Sequence, residues 1–376
     1  MYKFNPMSIY VHIPWCLKKC EYCDFNTYIQ KNNIPEEMYI KHLLQDLEND
    51  IKFIHDRKIN TIFIGGGTPS LFKNESIHKL IKGIKKRINI SYPLEISIEV
   101  NPNTVELKDF IYYKHSGINR ISLGIQSLNS KHLINIGRTY TNKEAINTIT
   151  IAKKIFKNTN IDIMYGLPKQ SVKEALLDLQ NIINYQPSHI SWYQLMIEPN
   201  TVFYAKKINT PDENIILTIL KKGEKLLIQS GYKKYEISSY SQSNFLCKHN
   251  LNYWNFGDYI GIGCGAHGKI TQKNGKIIRI VKNKNPYDFL SGNYLNSIKK
   301  INDKDIVLEY FMNTFRLYNP IFKKHFQEKT FIKSENIEKY IDIAIQNGYL
   351  INNPKYWKTT QKGKMFLNSL LEIFLH

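Results

Sequence analysis

The sequence predicts an α/β fold: a parallel (β/α) barrel, full or partial, followed by a small helical domain. Three observations carry this. Through residues 1–240, apolar runs of strand length alternate with amphipathic stretches of helix length. Strands alternating with helices make βαβ units and a parallel sheet. The residues that do chemistry fall just after the strands, where barrels and doubly wound sheets both place ligands. Beyond Ser297 the alternation stops and the pattern turns helical.

Taken in order, Ser8–Ile13 reads as a strand and Glu36–Asp56 as a helix. Thr61–Ile64 is a short strand running into glycines, with a helix near Ile77–Ile88. Leu94–Val100 is a strand, followed by a helix around Val105–His115. Strands at Arg120–Gln126, Asn160–Tyr165 and His189–Met196 alternate with helices at Asn142–Phe156, Val172–Asn184 and Glu213–Gln229. Tyr232–Ser238 is a further strand, and residues 241–297 form a connecting segment. Residues 298–376 make the last domain. Asp303–Arg316 and Glu335–Gln346 read as helices, and Gly348 ends the second. Asn352-Asn353-Pro354 signals a turn between strands at Tyr349–Ile351 and Trp357–Thr359. Lys362–Phe374 closes the chain as an amphipathic helix. Helix, hairpin, helix is a winged-helix-like order.

Composition narrows the function classes. The chain has 376 residues, 42% hydrophobic and 22% charged, which excludes a disordered or collagenous chain. No run approaches ~20 apolar residues, so no membrane span is expected. The first residues lack the charged and apolar regions of a secretion signal, so the expected location is the cytoplasm. The net charge of +20 would fit a nucleic acid or a membrane surface. The lysines, however, are scattered rather than gathered in a stripe, which argues against a nucleic-acid partner. Peripheral contact with a membrane stays open.

Cysteine spacing is the sharpest signal. Three of the five cysteines form Cys16-x3-Cys20-x2-Cys23. Three thiolates so close together can serve one metal centre. A structural zinc site needs a fourth ligand, and none is adjacent. A [4Fe–4S] cube held by three cysteines would leave one iron open to an outside ligand. Three buried cysteines, or zinc, are the alternatives.

Other motifs follow the strands. In Gly65-Gly66-Gly67-Thr68-Pro69, consecutive glycines allow close backbone approach to a ligand, or simply a tight turn. Glu99 ends an apolar strand, where its carboxylate can accept from an ammonium or ribose hydroxyls. Gln126 ends the next strand. Arg138 can pair bidentately with a carboxylate. Asp162 lies on an otherwise apolar strand and needs a partner there. Each has a structural reading of similar weight. Beside a cluster, together, they suit a zwitterionic nucleoside such as S-adenosylmethionine.

His12-Ile-Pro-Trp-Cys16-x3-Cys20-x-Tyr22-Cys23-Asp-Phe25 resembles the radical S-adenosylmethionine superfamily. It is similar to the branch of oxygen-independent coproporphyrinogen III oxidases and their relatives. Glu99-Val-Asn-Pro, Gly124-Ile-Gln126-Ser and Asp162-Ile-Met-Tyr-Gly-Leu-Pro168 strengthen the resemblance, which spans nearly the whole chain. Ser191-Trp-Tyr-Gln-Leu and Cys247-Lys-His249-Asn250-Leu-Asn-Tyr253-Trp254 narrow it to the haem chaperones of that branch.

The resemblance implies a six-unit partial barrel with a C-terminal helical module. It implies that Cys16, Cys20 and Cys23 hold the cluster. It also implies that Tyr10, Gly66, Gly67, Thr68, Glu99, Gln126, Arg138 and Asp162 contact S-adenosylmethionine, with Tyr22 covering the cluster. The oxidases carry a further cysteine where this chain has Phe25, and a longer segment before the cluster. Both departures count against decarboxylation and favour binding haem for delivery to haem-accepting respiratory proteins. Histidine and cysteine are common haem ligands, which makes His249 the candidate axial ligand, with Cys247 and His267 behind it. Tyr253 and Trp254 could face the porphyrin.

Overall fold

Six strands lie side by side in parallel, in the order β1 to β6: Met7–Ile13, Ile59–Gly66, Ile90–Val100, Arg120–Gln126, Asn158–Tyr165 and His189–Gln194. This is the six-unit partial barrel. The structure is a computed structural model and describes residues 6–30 and 33–375. Strand β1 shows why the sheet curls around a polar lumen. Met7, Ile9, Val11 and Ile13 are fully buried in the main core, whereas Ser8, Tyr10 and His12 alternate with them on the inner face. A two-residue side-chain period makes that separation automatic. Ser8 accepts a hydrogen bond at 2.7 Å from Thr61, its neighbour on the adjacent strand β2.

Helices cover the outer face: α1 (Glu36–Asp50), α2 (Asn74–Arg87), α3 (Leu107–His115), α4 (Asn142–Ile155), α5 (Val172–Asn184) and α6 (Glu213–Gln229). Capping boxes start α4, through Thr141 and Glu144, and α5, through Ser171 and Glu174. Each returns two otherwise orphaned backbone donors to a partner. Helix α1 ends at Asp50, short of the expected Asp56, and Ile51–Phe53 tightens into a 3-10 turn.

The expected strand at 232–238 is instead a hairpin, β7 (Lys233–Glu236) and β8 (Ser239–Ser241), with β8 antiparallel to β6. Residues 241–297 do more than connect. Together with the next three residues they form the short helix α7 (Lys248–Trp254) and the strands β9 (Tyr259–Ile262), β10 (His267–Thr271), β11 (Ile277–Lys282) and β12 (Leu295–Lys300). Strand β9 adds in parallel to the free edge of β1, and the other three follow antiparallel. One twelve-stranded sheet results, ordered β12-β11-β10-β9-β1-β2-β3-β4-β5-β6-β8-β7.

The C-terminal part has its own core of Phe311, Phe315, Phe326, Trp357 and Phe374. It contains α8 (Asp303–Thr314), α9 (Lys323–Thr330), α10 (Glu338–Gln346) and a small antiparallel sheet. That sheet joins β13 (Ile321–Phe322), β14 (Leu350–Asn352) and β15 (Tyr356–Thr359) in the order β13-β15-β14. The expected closing helix breaks at Phe366, whose ψ of 47° leaves the helical region, into α11 (Gln361–Met365) and α12 (Leu367–Glu372). Arg316 ties this part to the barrel through Glu236 at 3.4 Å. Among the described residues, no helix is long and apolar enough to cross a membrane.

Candidate cofactor site

A cavity of about 460 Å³ opens at the C-terminal ends of the parallel strands. It is lined by Cys16, Cys20, Tyr22, Cys23, Gly66, Gly67, Thr68, Glu99, Gln126, Arg138 and Asp162. The fold therefore gathers residues separated by nearly 150 positions. This placement follows from the parallel sheet, which brings every strand end and the loop after it to one rim.

The three cysteines sit on the loop after β1, each partly exposed. Trp15–Cys16 pairs with Tyr28–Ile29 and closes that loop at its base. Among the described residues, no three thiol, imidazole or carboxylate groups converge on one ion position. A cube binds each cysteine through a different iron, so its thiols need not converge on one point. The donor set fits such a cluster. Burial pushes the Cys16 thiol up to about 11, partly offset by a hydrogen bond from Thr68. Iron binding would then displace a proton.

Glycines form a cradle beside the loop. Gly66 has φ +113°, and a Cβ there would lie 2.6 Å from the His12 ring. A Cβ on Gly67 would lie 2.6 Å from the Trp15 carbonyl oxygen. The glycines are thus required by φ and by close approach of the cysteine loop. The Gly66 N–H donates to Glu99 Oε2 at 3.0 Å.

The walls are polar and pre-oriented. Arg138 donates to Tyr22 Oη at 2.6 Å and to Asn101 Oδ1 at 3.2 Å, and its Nε is buried without a partner. A guanidinium with a spare donor fits a ligand carboxylate. Asn101 also donates to Thr68 Oγ1 at 3.0 Å. Gln126 accepts from the Tyr193 hydroxyl at 2.7 Å, leaving its amide nitrogen for a ligand. Asp162 accepts from Asn160 at 2.8 Å and Ser122 at 3.2 Å. Burial nonetheless raises its pKa.

Burial also raises Glu99 to about 7, with the Asp162 charge adding and the Gly66 N–H opposing. Glu99 thus changes charge near neutrality. Below about pH 7 it holds a proton and loses half its acceptor capacity. We expect S-adenosylmethionine affinity to rise roughly tenfold from pH 6 to pH 8, as one carboxylate ionises. Titration calorimetry checks this, and Glu99→Gln should flatten the profile. The same shift makes folding stability fall between about pH 4.5 and 7, because the unfolded chain releases this proton first.

Tyr10 stands behind this wall on β1, and its hydroxyl donates to His12 Nδ1 at 3.0 Å. His12 Nε2 donates to the Asn26 carbonyl at 2.9 Å. His12, Asn101, Asn160 and Tyr193 are not among the site residues expected from the sequence. The signal for His12 was the polar alternation Ser8, Tyr10, His12 along an apolar strand. Tyr193 became a neighbour of the site only through strand order, whereas Asn101 and Asn160 each stand two residues from Glu99 and Asp162.

His249, the candidate axial ligand, lies outside this cavity. It is 1% exposed, on α7 inside the barrel. Thr61 spends its proton on Ser8, so His249 Nδ1 donates to Thr61 Oγ1 at 2.8 Å. Nε2 then accepts from the Tyr253 hydroxyl at 2.8 Å. Burial, with Arg120 nearby, lowers its pKa to about 3, so the ring is neutral. Phe63 stacks on it at 5.0 Å. The lone pair an iron would need is already engaged. We expect His249→Ala to cost about 2–4 kcal/mol in urea unfolding, from two lost buried hydrogen bonds and a cavity. Cys247 is also fully buried, whereas His267 is exposed at the start of β10.

Comparison with known proteins places the chain. Residues 10–179 match the model of the radical SAM superfamily. A protein of Buchnera aphidicola from Acyrthosiphon pisum, described as heme chaperone HemW, is 64% identical over the full length of both chains. The Escherichia coli protein of that description is 45% identical over the full length of both. The Haemophilus influenzae one is 48% identical, covering all of this chain and 99% of its own. The structure of Escherichia coli coproporphyrinogen III oxidase, HemN, superposes with a TM-score of 0.84 at 21% identity, over 99% of this chain and 90% of that one, which shows a shared fold. With this fold, this cavity and these relatives, the chain belongs to the HemW family of heme chaperones within the radical SAM superfamily.

Proposed function

We propose that the protein binds haem and delivers it to haem-accepting respiratory proteins. The identity of 45–64% over the full length to proteins described as heme chaperones carries this reading. Cys16, Cys20 and Cys23 would hold a [4Fe–4S] cluster, and the cavity would hold S-adenosylmethionine. Once bound, a cluster with an open iron supplies a chelation point for the amino and carboxylate groups of that nucleoside and an electron for its cleavage. The chain's own residues do the rest. Arg138 receives the carboxylate, Glu99 and Asp162 accept from ammonium or hydroxyl groups, and Gly66 and Gly67 let the backbone approach. Tyr22 closes over the cysteines. Phe25, 57% exposed at the cavity mouth, replaces the thiol expected of an oxidase.

His249 stays the candidate haem ligand, and the role requires its ring to leave Thr61 and Tyr253. The recipient protein sits in respiration, and the chaperone works in the cytoplasm with peripheral access to membrane-bound acceptors. The deciding experiment is anaerobic and uses cluster-reconstituted protein. Coproporphyrinogen III is supplied with S-adenosylmethionine and a low-potential reductant, and in parallel haem is titrated and offered to a haem-free acceptor. Haem binding and transfer without porphyrinogen turnover is the expected result. Many turnovers to protoporphyrinogen IX would make the protein an oxidase instead.

A further inference from the structure

The cluster loop returns to the sheet through Asn26–Tyr28, and that return is anchored far away in sequence. The Asn26 amide donates to the Cys264 carbonyl at 3.2 Å and to the Lys284 carbonyl at 3.1 Å. Both acceptors are backbone oxygens, so the amide nitrogen, not the oxygen, faces them. The Lys284 carbonyl also accepts from the Tyr28 hydroxyl at 2.8 Å and the Cys264 thiol at 2.6 Å. Three donors from two segments therefore meet on one oxygen.

Shape reinforces the contact. Gly265 has φ +76°, and any Cβ there would overlap the Asn26 amide. The Asn26 backbone carbonyl also accepts from His12 Nε2 at 2.9 Å, and His12 accepts in turn from Tyr10. Asn26 stands three residues past Cys23. Its side chain fixes the loop to the β9–β10 turn and the segment after β11, and its carbonyl fixes His12 beneath the glycine cradle.

We propose that Asn26 is the positioning residue of the cluster loop, with Gly265, Cys264 and Lys284 as its socket. This rests on the cluster assignment made above. It gives the strands β9 to β11 a task that the parallel barrel alone cannot perform: they clamp the loop whose thiols ring the cavity. It also assigns Cys264, whose thiol is spent on the Lys284 carbonyl, to the socket and not to iron. Residues that orient metal ligands from behind act through hydrogen bonds, and their loss weakens the metal without removing a ligand.

The test compares full-length protein with Asn26→Ala, Asn26→Asp and Gly265→Ala, reconstituted anaerobically. Iron release to a chelator and the electron paramagnetic resonance spectrum of the reduced cluster, with and without S-adenosylmethionine, are the readouts. Aspartate keeps the shape of asparagine but offers carboxylate oxygens to two carbonyls. Release roughly tenfold faster in both Asn26 variants, with an altered spectrum, is expected. Gly265→Ala should behave likewise. Tyr28→Phe removes one donor to the Lys284 carbonyl and should shift release in the same direction by less. Wild-type release and spectra in Asn26→Asp would overturn the proposal, because packing alone would then suffice. Unfolding curves matching wild type confirm that the variants are folded. If wild-type protein assembles no cluster, the cluster assignment fails instead.

Discussion

Gly66→Ala is expected to weaken S-adenosylmethionine binding more than roughly tenfold while the chain still folds. Two independent effects act at this position. At φ +113° the backbone is one that alanine adopts only at a cost of about 1–3 kcal/mol. The new methyl would also lie 2.6 Å from the His12 ring, well inside van der Waals contact. His12 cannot swing away freely, because Tyr10 holds one ring nitrogen and the Asn26 carbonyl the other. The strand end must move instead. Gly66 N–H would then leave Glu99, the acceptor it orients from 3.0 Å. A loss of ligand affinity of more than roughly tenfold follows, equivalent to about 1.4 kcal/mol or more. Calorimetry with S-adenosylmethionine checks it. Gly231→Ala is the control: φ is +87° there, but no atom lies within 4 Å of the added carbon. That variant should lose stability and keep its affinity, and equal affinity losses in both would refute the cradle.

Replacing Cys20 by serine is expected to remove most of the iron and the charge-transfer absorption of the reconstituted protein. Cys20 lies on the partly exposed loop at the cavity mouth, outside the hydrophobic cores. Its loss therefore removes a ligand without opening a cavity, and circular dichroism should not change. Cys16→Ser and Cys23→Ser should behave alike. Cys247→Ser and Cys264→Ala should retain the iron-linked absorption to a much greater degree, since both side chains are fully buried away from the mouth. Iron analysis per chain separates the two groups. Equal iron retention in all five variants would remove the cluster assignment, and iron loss on Cys247→Ser would move the metal into the barrel.

Much of this site was legible before any fold was known. The cysteine spacing, the glycine run and the acids at strand ends are local signals, because chemistry that needs three thiolates or a close backbone needs them within one loop. Asn26 was not legible, since its partners lie 238 and 258 positions away. Nor were the strands β9 to β12, whose short runs break the alternation of strand and helix. For His249 the sequence offered a ligand role, and the structure adds the partners it holds at rest. A histidine among aromatics reads as a ligand, yet the same composition makes a well-satisfied interior, and only the hydrogen bonds to Thr61 and Tyr253 separate the two.

By itself, the sequence determined the alternation of strand and helix and the loop that carries the thiols, because these depend on spacing along the chain. Tertiary structure alone decided which distant carbonyls hold that loop, that residues 241–297 extend the barrel sheet, and that the His249 lone pair is already engaged. Those outcomes depend on which segments meet in space, and a backbone carbonyl that receives three donors leaves no mark on the residue that bears it.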